Sequence, residues 1–289
     1  MLKQYKANWT TFDNLDMELF VTTELFKLRS LHYGYWEPKE SLTLENLRRA
    51  QIRYTETLLE MIPPDVMTIL DVGAGIGDNA QALCNSGYSV TAISPDLNHA
   101  QYFEKMLAPK LRFVPSKFED FIDPGIYDLI LMSESHVYFH MDAGFAQCRR
   151  LLRPGGYLLV SGMFSRDDGP NIKAGRIFYD YFDSEMDYKT RAEIYGLQLI
   201  QNVDITSQTL PTLALAYDMY CDKLVPFMAM AEHYLNSSAG WKWKLLKIVL
   251  RKQFRELTTM KQMYDHRLNP EVFQNQARYM RMLFQLPRA

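Results

Sequence analysis

Cysteine is scarce in this 289-residue sequence: only Cys84, Cys148 and Cys221 occur, far apart. They form no CxxC pair, no zinc-binding spacing and no disulfide framework, which points to a reducing compartment. An excess of one charge is missing too. The 32 Lys and Arg stand against 34 Asp and Glu, a net charge of −2, so no global basic field draws the chain to nucleic acid. No apolar run approaches the roughly 18 residues that a spanning helix needs. The opening MLKQYKANWTTFDNLDMELF is too polar and acidic for a secretory signal. There are no internal repeats and no low-complexity linker. These absences together predict a cytoplasmic enzyme or binding protein.

What the sequence does hold is an ordinary globular balance, 47% hydrophobic and 23% charged, at a length that suits one large domain or two small ones. The soft and aromatic residues are many: 16 Met, 18 Tyr, 16 Phe and 4 Trp. They build either a large core or an adaptable pocket for an apolar ligand. From 66 to 165, short apolar runs (VMTILDV, SVTAI, LRFVP, YDLILMS, GYLLVSG) alternate with helical patterns. That alternation predicts βαβ units and a parallel sheet covered on both faces. An amphipathic helix is expected at 43–62, stopped by Pro63-Pro64, and further strands at 196–206 and 279–287. A late strand separated from its sheet by a helical stretch suggests a lid inserted into one domain.

Asp71-Val72-Gly73-Ala74-Gly75-Ile76-Gly77 follows an apolar run and opens a helical pattern. Glycines there let the backbone turn tightly and let a ligand approach. A dinucleotide site would use GxGxxG; here the third glycine comes one residue early. Asp71, at the strand end, would repel a pyrophosphate but suit an ammonium group.

With this loop the chain resembles the class I S-adenosylmethionine-dependent methyltransferases. The resemblance continues in order through ISPD (93–96), FED (118–120), YDLILMSES (127–135) and LLRPGGYLLVSG (151–162). It implies a Rossmann-like α/β fold: a seven-stranded, mostly parallel sheet with helices on both faces, an N-terminal helical gate and an inserted helical lid. The expected division is gate 1–62, core 63–206, lid 207–268, and a last helix and strand at 269–289. The implied cofactor is S-adenosyl-L-methionine, leaving S-adenosyl-L-homocysteine as product. Asp71 would meet its amino group, and Gly73, Ala74 and Gly75 would bring backbone against it. Ser94 stands where most of the superfamily has an acid on the ribose, with Pro95 and His99 beside it. Asp96 either supplies that carboxylate or caps the next helix. Phe118 and Glu119 match the adenine position, and Ser133 ends the fourth strand on the cofactor side.

The aromatic segment Leu31-His32-Tyr33-Gly34-Tyr35-Trp36 and the helical Ala50-Gln51-Ile52-Arg53 look like the gate of tocopherol-type small-molecule methyltransferases. The resemblance extends to sterol-type, sugar O-methyl and cyclopropane fatty acid enzymes. It implies that His32 and Gln51 hold the methionine carboxylate while Tyr33, Tyr35 and Trp36 wall the sulfonium. Candidates for acid–base work follow the fourth strand: Glu134, His136, Tyr138 and His140. His136 and His140, four apart, would also suit a metal if they shared a helix, but no third ligand is evident and no metal site is expected. Tyr217, Tyr220, Phe227 and Met228 are expected either to line an acceptor pocket or to glue the lid to the core. The run 241–255 carries six basic residues and no acid, as an interfacial membrane helix or an ordinary lid helix would.

The expected function is methyl transfer to carbon or oxygen of a small, largely apolar metabolite such as an isoprenoid, sterol or quinone, with no nucleic-acid partner. The alternatives are an amine N-methyltransferase of the phosphoethanolamine or glycine type, and a non-catalytic cofactor-binding protein.

Overall fold

The computed structural model describes residues 17–106, 108–167, 182–249 and 264–288. Its centre is a seven-stranded sheet: β1 (Thr68–Val72), β2 (Ser89–Ser94), β3 (Leu111–Pro115), β4 (Tyr127–Ser133), β5 (Leu152–Ser165), β6 (Gln198–Asp204) and β7 (Ala277–Gln285). The spatial order is β3-β2-β1-β4-β5-β7-β6, parallel from β3 to β5, with β7 running antiparallel to both of its neighbours. This is the Rossmann-like α/β class expected from the sequence.

Central parallel strands are covered on both faces, which is why their sequences are continuous apolar runs rather than alternating ones. Leu129, Ile130, Leu131 and Met132 of β4 are all buried. Leu129 and Leu131 enter the cluster that holds Tyr54, Leu58 and Leu83, whereas Ile130 and Met132 join Phe145, Cys148 and Tyr188 on the opposite face.

The order of the strands reverses between β1 and β4. In open α/β sheets a crevice opens outside the strand ends at such a switch point. Helix α1 (Leu44–Leu59) borders it. Thr43 caps α1 by accepting from the Asn46 N–H, and Leu47, Ala50, Gln51, Tyr54, Thr55 and Leu58 form its buried face at helical spacing. Helix α2 (Asp78–Asn85) starts directly after the glycine loop, and α3 (Leu97–Phe103) follows β2. Helices α4 (Met141–Leu151) and α5 (Glu185–Ile194) cover the other face.

One boundary differs from expectation. Pro154-Gly155-Gly156 reads as a turn, yet β5 begins at Leu152 and runs through it. Gly155, at φ +79°, sits where the β4–β5 register shifts. Its N–H and the Gly156 carbonyl pair with Leu286 beyond β7, so the glycines form a bulge at the start of a strand paired on both sides.

Between β6 and β7 lie α6 (Thr206–Met219), a π-helical turn (Tyr220–Leu224), α7 (Val225–Val249, kinked at Gly240) and α8 (Pro270–Gln276). Helix α6 clamps the N-terminal segment. Trp36, 2% exposed, gives its indole N–H to the Thr212 hydroxyl at 2.8 Å, and the buried Gly34 N–H reaches the same oxygen at 2.9 Å. Leu28, Trp36, Leu47, Ala50 and Leu215 close a small core around this joint.

Thr212→Val keeps the volume and removes the acceptor of both donors. Leaving them unsatisfied should cost about 1–3 kcal/mol. In urea unfolding the midpoint should fall with an unchanged m-value; a midpoint equal to wild type would show that the joint is held by apolar packing alone.

Candidate functional site

A cavity of about 480 Å³ opens at the switch point. The ends of β1, β2 and β4 build its floor through Asp71, Ser94 and Ser133, and the glycine loop forms one wall. Gly73, at φ +70°, lies so close to Ser135 that an added Cβ would come within 2.4 Å of the serine Cβ. Its N–H and that of Ala74 donate to the Ile93 carbonyl, tying the loop to β2.

Asp71 is 1% exposed. Its Oδ2 is buried and has no hydrogen-bond partner. Burial, helped by the nearby Asp78 carboxylate and opposed by His32, pushes its carboxyl up to about 7. Asp78 opens α2 and behaves in the opposite way. Burial works against its charge, yet the His32 imidazole and hydrogen bonds from Ser30 and the Asn79 N–H hold it below the usual carboxylate range.

His32 Nε2 lies 2.8 Å from Asp78 Oδ2, and Nδ1 lies 2.7 Å from the Tyr33 carbonyl oxygen. Both partners only accept, so both ring nitrogens donate and the ring is an imidazolium. Burial opposes that charge, but Asp78 outweighs it, with help from Glu134, and the histidine titrates above its ordinary value. The ring also stacks on Tyr54 at 4.3 Å.

A buried cluster of two carboxylates and one imidazolium leaves Asp71 without a cationic partner in contact. That is the place for an ammonium group. S-adenosyl-L-methionine carries one, and the orphaned oxygen, the glycine backbone and the cavity fit it.

At the turn after β2, the Asp96 Oδ1 accepts from the Asn98 N–H at 2.8 Å and caps α3. Ser94 Oγ meets His99 Nδ1 at 2.9 Å. Pro95, Asp96 and His99 line the cavity, as do Phe118 and Glu119; Phe118 is buried against Phe139.

Five expected contacts fall elsewhere. Gln51 gives its amide N–H groups to the Ser30 and His32 carbonyls, Tyr35 donates its backbone N–H to Ala50, and Trp36 is held by Thr212. These three support the gate from behind; none lines the cavity. His136 is also turned away. Buried and stacked on Phe164 at 4.5 Å, it donates from Nε2 to the Met163 carbonyl. Burial, partly offset by that bond, pushes it down to about 4, so it is a neutral core histidine rather than a base facing an acceptor. His140 caps α4 outside the cavity, its Nδ1 accepting from the Asp142 N–H. Only residues 136–138 form the short 3₁₀ turn after β4, so the two histidines share no helix and the metal-type pairing does not form.

Tyr33, Glu134 and Tyr138 do line the cavity. Glu134 takes a left-handed backbone, φ +59°, a strained choice for a non-glycine residue that is common at functional sites. Its Oε1 accepts from the Tyr33 N–H at 2.8 Å and from the Tyr279 hydroxyl. The sequence reading missed Asp78, Asn79, Ser135, Phe139 and Arg267, which also line the cavity. Asp78 offered one signal, an acid opening the helix after the glycine loop. Arg267 and Tyr279 lie far along the chain, where spacing gives no cue.

Residues 70–160 match the family model of the methyltransferase domain. The central segment is a methyltransferase domain. Its class I type, read from the motifs, is supported by relatives and fold alike, and the cofactor of such a domain is S-adenosyl-L-methionine. Across 208 residues the chain is 25% identical to the "Probable tocopherol O-methyltransferase, chloroplastic" of Oryza sativa subsp. japonica, covering 63% of this chain and 58% of that protein. The chain thus spans little more than half of that relative's length. Two solved structures share the fold. The [4+2]-cyclase SpnF superposes with a TM-score of 0.68 at 16% identity, covering 94% and 96% of the two chains. A geranyl diphosphate methyltransferase in complex with its diphosphate and sinefungin gives 0.65 at 16%, covering 91% and 92%. At such identities the likeness is one of fold, and a fold does not fix a reaction.

The charge arrangement has opposite consequences for stability and binding. A carboxyl whose folded pKa lies above its unfolded value gives stability that is present at low pH and lost as pH rises from about 4 to 7. Asp71→Asn should therefore raise the melting temperature of the cofactor-free protein at pH 8, raise it less at pH 5 and leave it unchanged only below about pH 4. The same change should weaken S-adenosyl-L-methionine in calorimetry about 10–150-fold. It should also abolish the loss of affinity that wild type shows below pH 7. A melting temperature at pH 8 equal to or below wild type would mean that Asp71 is not an uncompensated charge.

Proposed function

We propose that this methyltransferase moves a methyl group from S-adenosyl-L-methionine to carbon or oxygen of a small, largely apolar metabolite of the isoprenoid, sterol or quinone kind. The observation that carries the reading is the orphaned Asp71 carboxylate facing the same cavity as Glu134. The cavity holds one carboxylate suited to an ammonium and a second suited to accept a proton. When bound, the cofactor supplies the electrophilic methyl: the acceptor's electron pair forms the new bond and the carbon–sulfur pair stays on sulfur.

The residues of the chain do the rest. The glycine loop and Asp71 orient the cofactor, and alignment accounts for much of the acceleration in such a displacement. Where the acceptor is a hydroxyl, its proton passes to Glu134 and the O–H pair remains for the new C–O bond. Tyr33 and Tyr138 bound the cavity on the side of Glu134. Tyr217, Tyr220, Phe227 and Met228, expected as pocket liners or lid glue, do not line the cavity; the apolar acceptor is supported by the tocopherol named for the rice relative. Weak contact of the basic run 241–255 with a membrane surface belongs to the same reading, although residues 250–255 of that run lie outside the described residues. No described helix is long and apolar enough to cross a membrane.

Calorimetry with S-adenosyl-L-methionine and S-adenosyl-L-homocysteine should show both binding. A panel of prenylated phenols, sterols and quinols, followed by mass spectrometry, should give a methylated product. Glu134→Gln should reduce kcat about 10²–10⁴-fold with cofactor affinity near wild type. Methylation confined to amines would replace the acceptor class with the N-methyl alternative. Tight cofactor binding with no product across both panels would leave a cofactor-binding protein instead.

A further inference from the structure

Behind Glu134 the sheet carries a polar row through its apolar core. Ser133 of β4, Ser161 of β5 and Arg281 of β7 are register partners across three adjacent strands. Arg281 is 2% exposed in the apolar run Tyr279-Met280-Arg281-Met282-Leu283-Phe284. Among the described residues no carboxylate pairs with it. Its NH1 donates to Thr57 Oγ1 at 2.9 Å, its NH2 to the Tyr54 carbonyl at 2.8 Å and its Nε to Ser161 Oγ at 3.4 Å. The guanidinium lies 4.7 Å from the centre of the Tyr54 ring, whose other neighbour is the His32 ring.

The Tyr54 hydroxyl meets Ser161 Oγ at 2.7 Å, Tyr279 OH at 2.9 Å and Ser133 Oγ at 3.1 Å. Counting protons fixes the direction of every link. An ionised carboxylate only accepts, so Tyr279 spends its one proton on Glu134 Oε1. Tyr279 must then accept from Tyr54, Tyr54 from Ser161, and Ser161 from Arg281. The result is one chain, Arg281 to Ser161 to Tyr54 to Tyr279 to Glu134, with every donor pointing from the buried cation to the carboxylate. Aligned hydrogen bonds of this kind polarise one another.

We propose that this chain is a positioning device for Glu134: it keeps the carboxylate ionised and commits Oε1 to the protein. The chain does not export a proton taken from the acceptor, because it ends in a guanidinium with no lone pair to receive one; the proton leaves through the cavity. The titratable and charged groups around Glu134 include His32 from the gate, Tyr54 from α1, and Tyr279 with Arg281 behind it from β7, and Tyr33, Tyr138 and Arg267 share its cavity. The two phenols stay protonated, since burial and the Glu134 charge both raise them. They therefore act as hydrogen-bond donors and not as bases. The inference rests on Glu134 being the acceptor-side carboxylate, and its test needs no acceptor.

Infrared titration of the full chain resolves the protonated carboxyl of Glu134 as the band that Glu134→Gln removes. Tyr279→Phe should move the midpoint of that band upward by about one to two pH units, the value of one hydrogen bond to a charged group. Ser161→Ala, a smaller change in the middle of the chain, should move it the same way by less. If a panel acceptor is methylated, the acid limb of kcat/KM should shift with the band while cofactor affinity stays at wild type. A midpoint that Ser161→Ala and a folded Tyr279→Phe both leave in place would overturn the chain as a positioning device. A midpoint that moves while nothing is methylated would sustain the chain and count against the methyl-transfer reading alone.

Discussion

The site depends on holding two carboxylates with one cation at the end of a parallel sheet. Asp71 is shut away from water, Asp78 is half-buried at the cavity wall, and His32 is the imidazolium bonded to Asp78. Its short bond is to Asp78, so the pair is neutral and Asp71 carries the remainder. Desolvation of an unpaired carboxylate costs free energy that the rest of the fold must supply. Seven strands with apolar faces covered on both sides supply it, and their order places the charge at the switch point where a crevice opens. A partner with an ammonium group relieves the cost, so the strain of the free site becomes affinity for the bound one.

The gate belongs to the same electrostatic unit. Residues 32 and 33 each satisfy a cavity carboxylate: His32 holds Asp78, and the Tyr33 N–H holds Glu134. Behind them, Gln51 and Arg53 of α1 bind the carbonyls of residues 30, 32 and 35, and Thr212 of α6 binds Gly34 and Trp36. The segment is thus stitched to two helices and two carboxylates over a few residues. Moving it would expose donors and acceptors at both ends, so its placement is cooperative.

The cavity wall around the glycine loop was legible in sequence because its parts are local. Asp71, Gly73, Gly75, Ser94 and Phe118 sit at strand ends, and a strand followed by a loop faces the crevice wherever the sheet is parallel. The gate aromatics were legible as a group but not in direction. Whether Trp36 faces a ligand or α6 is decided by Thr212, 176 residues away, and composition is the same either way. His136 failed for a related reason: the left-handed turn at Glu134 redirects the chain after β4, so Glu134 reaches the cavity while His136 enters the core. Arg281 left a trace, a lone guanidinium in an apolar strand. Its meaning needed the register of β4, β5 and β7, which no local pattern contains.

The acceptor end differs in physical kind. Cofactor recognition uses backbone and one charge, which survive large changes in surrounding side chains. The acceptor space is bounded by side chains from the gate, the turn after β4 and the segment before α8, brought together only by tertiary packing. That division explains how a common fold can superpose on a [4+2]-cyclase and on a geranyl diphosphate methyltransferase alike. What distinguishes reactions on such a scaffold is the group held opposite the cofactor and how firmly it is held. In the proposed function that group is Glu134, fixed in an unfavourable backbone conformation by the Ser161 carbonyl on its N–H, by the Tyr33 N–H and by the Tyr279 hydroxyl. A carboxylate needed only to fill space would not be anchored at a strained position by three elements; one that must meet a proton in a set place would be.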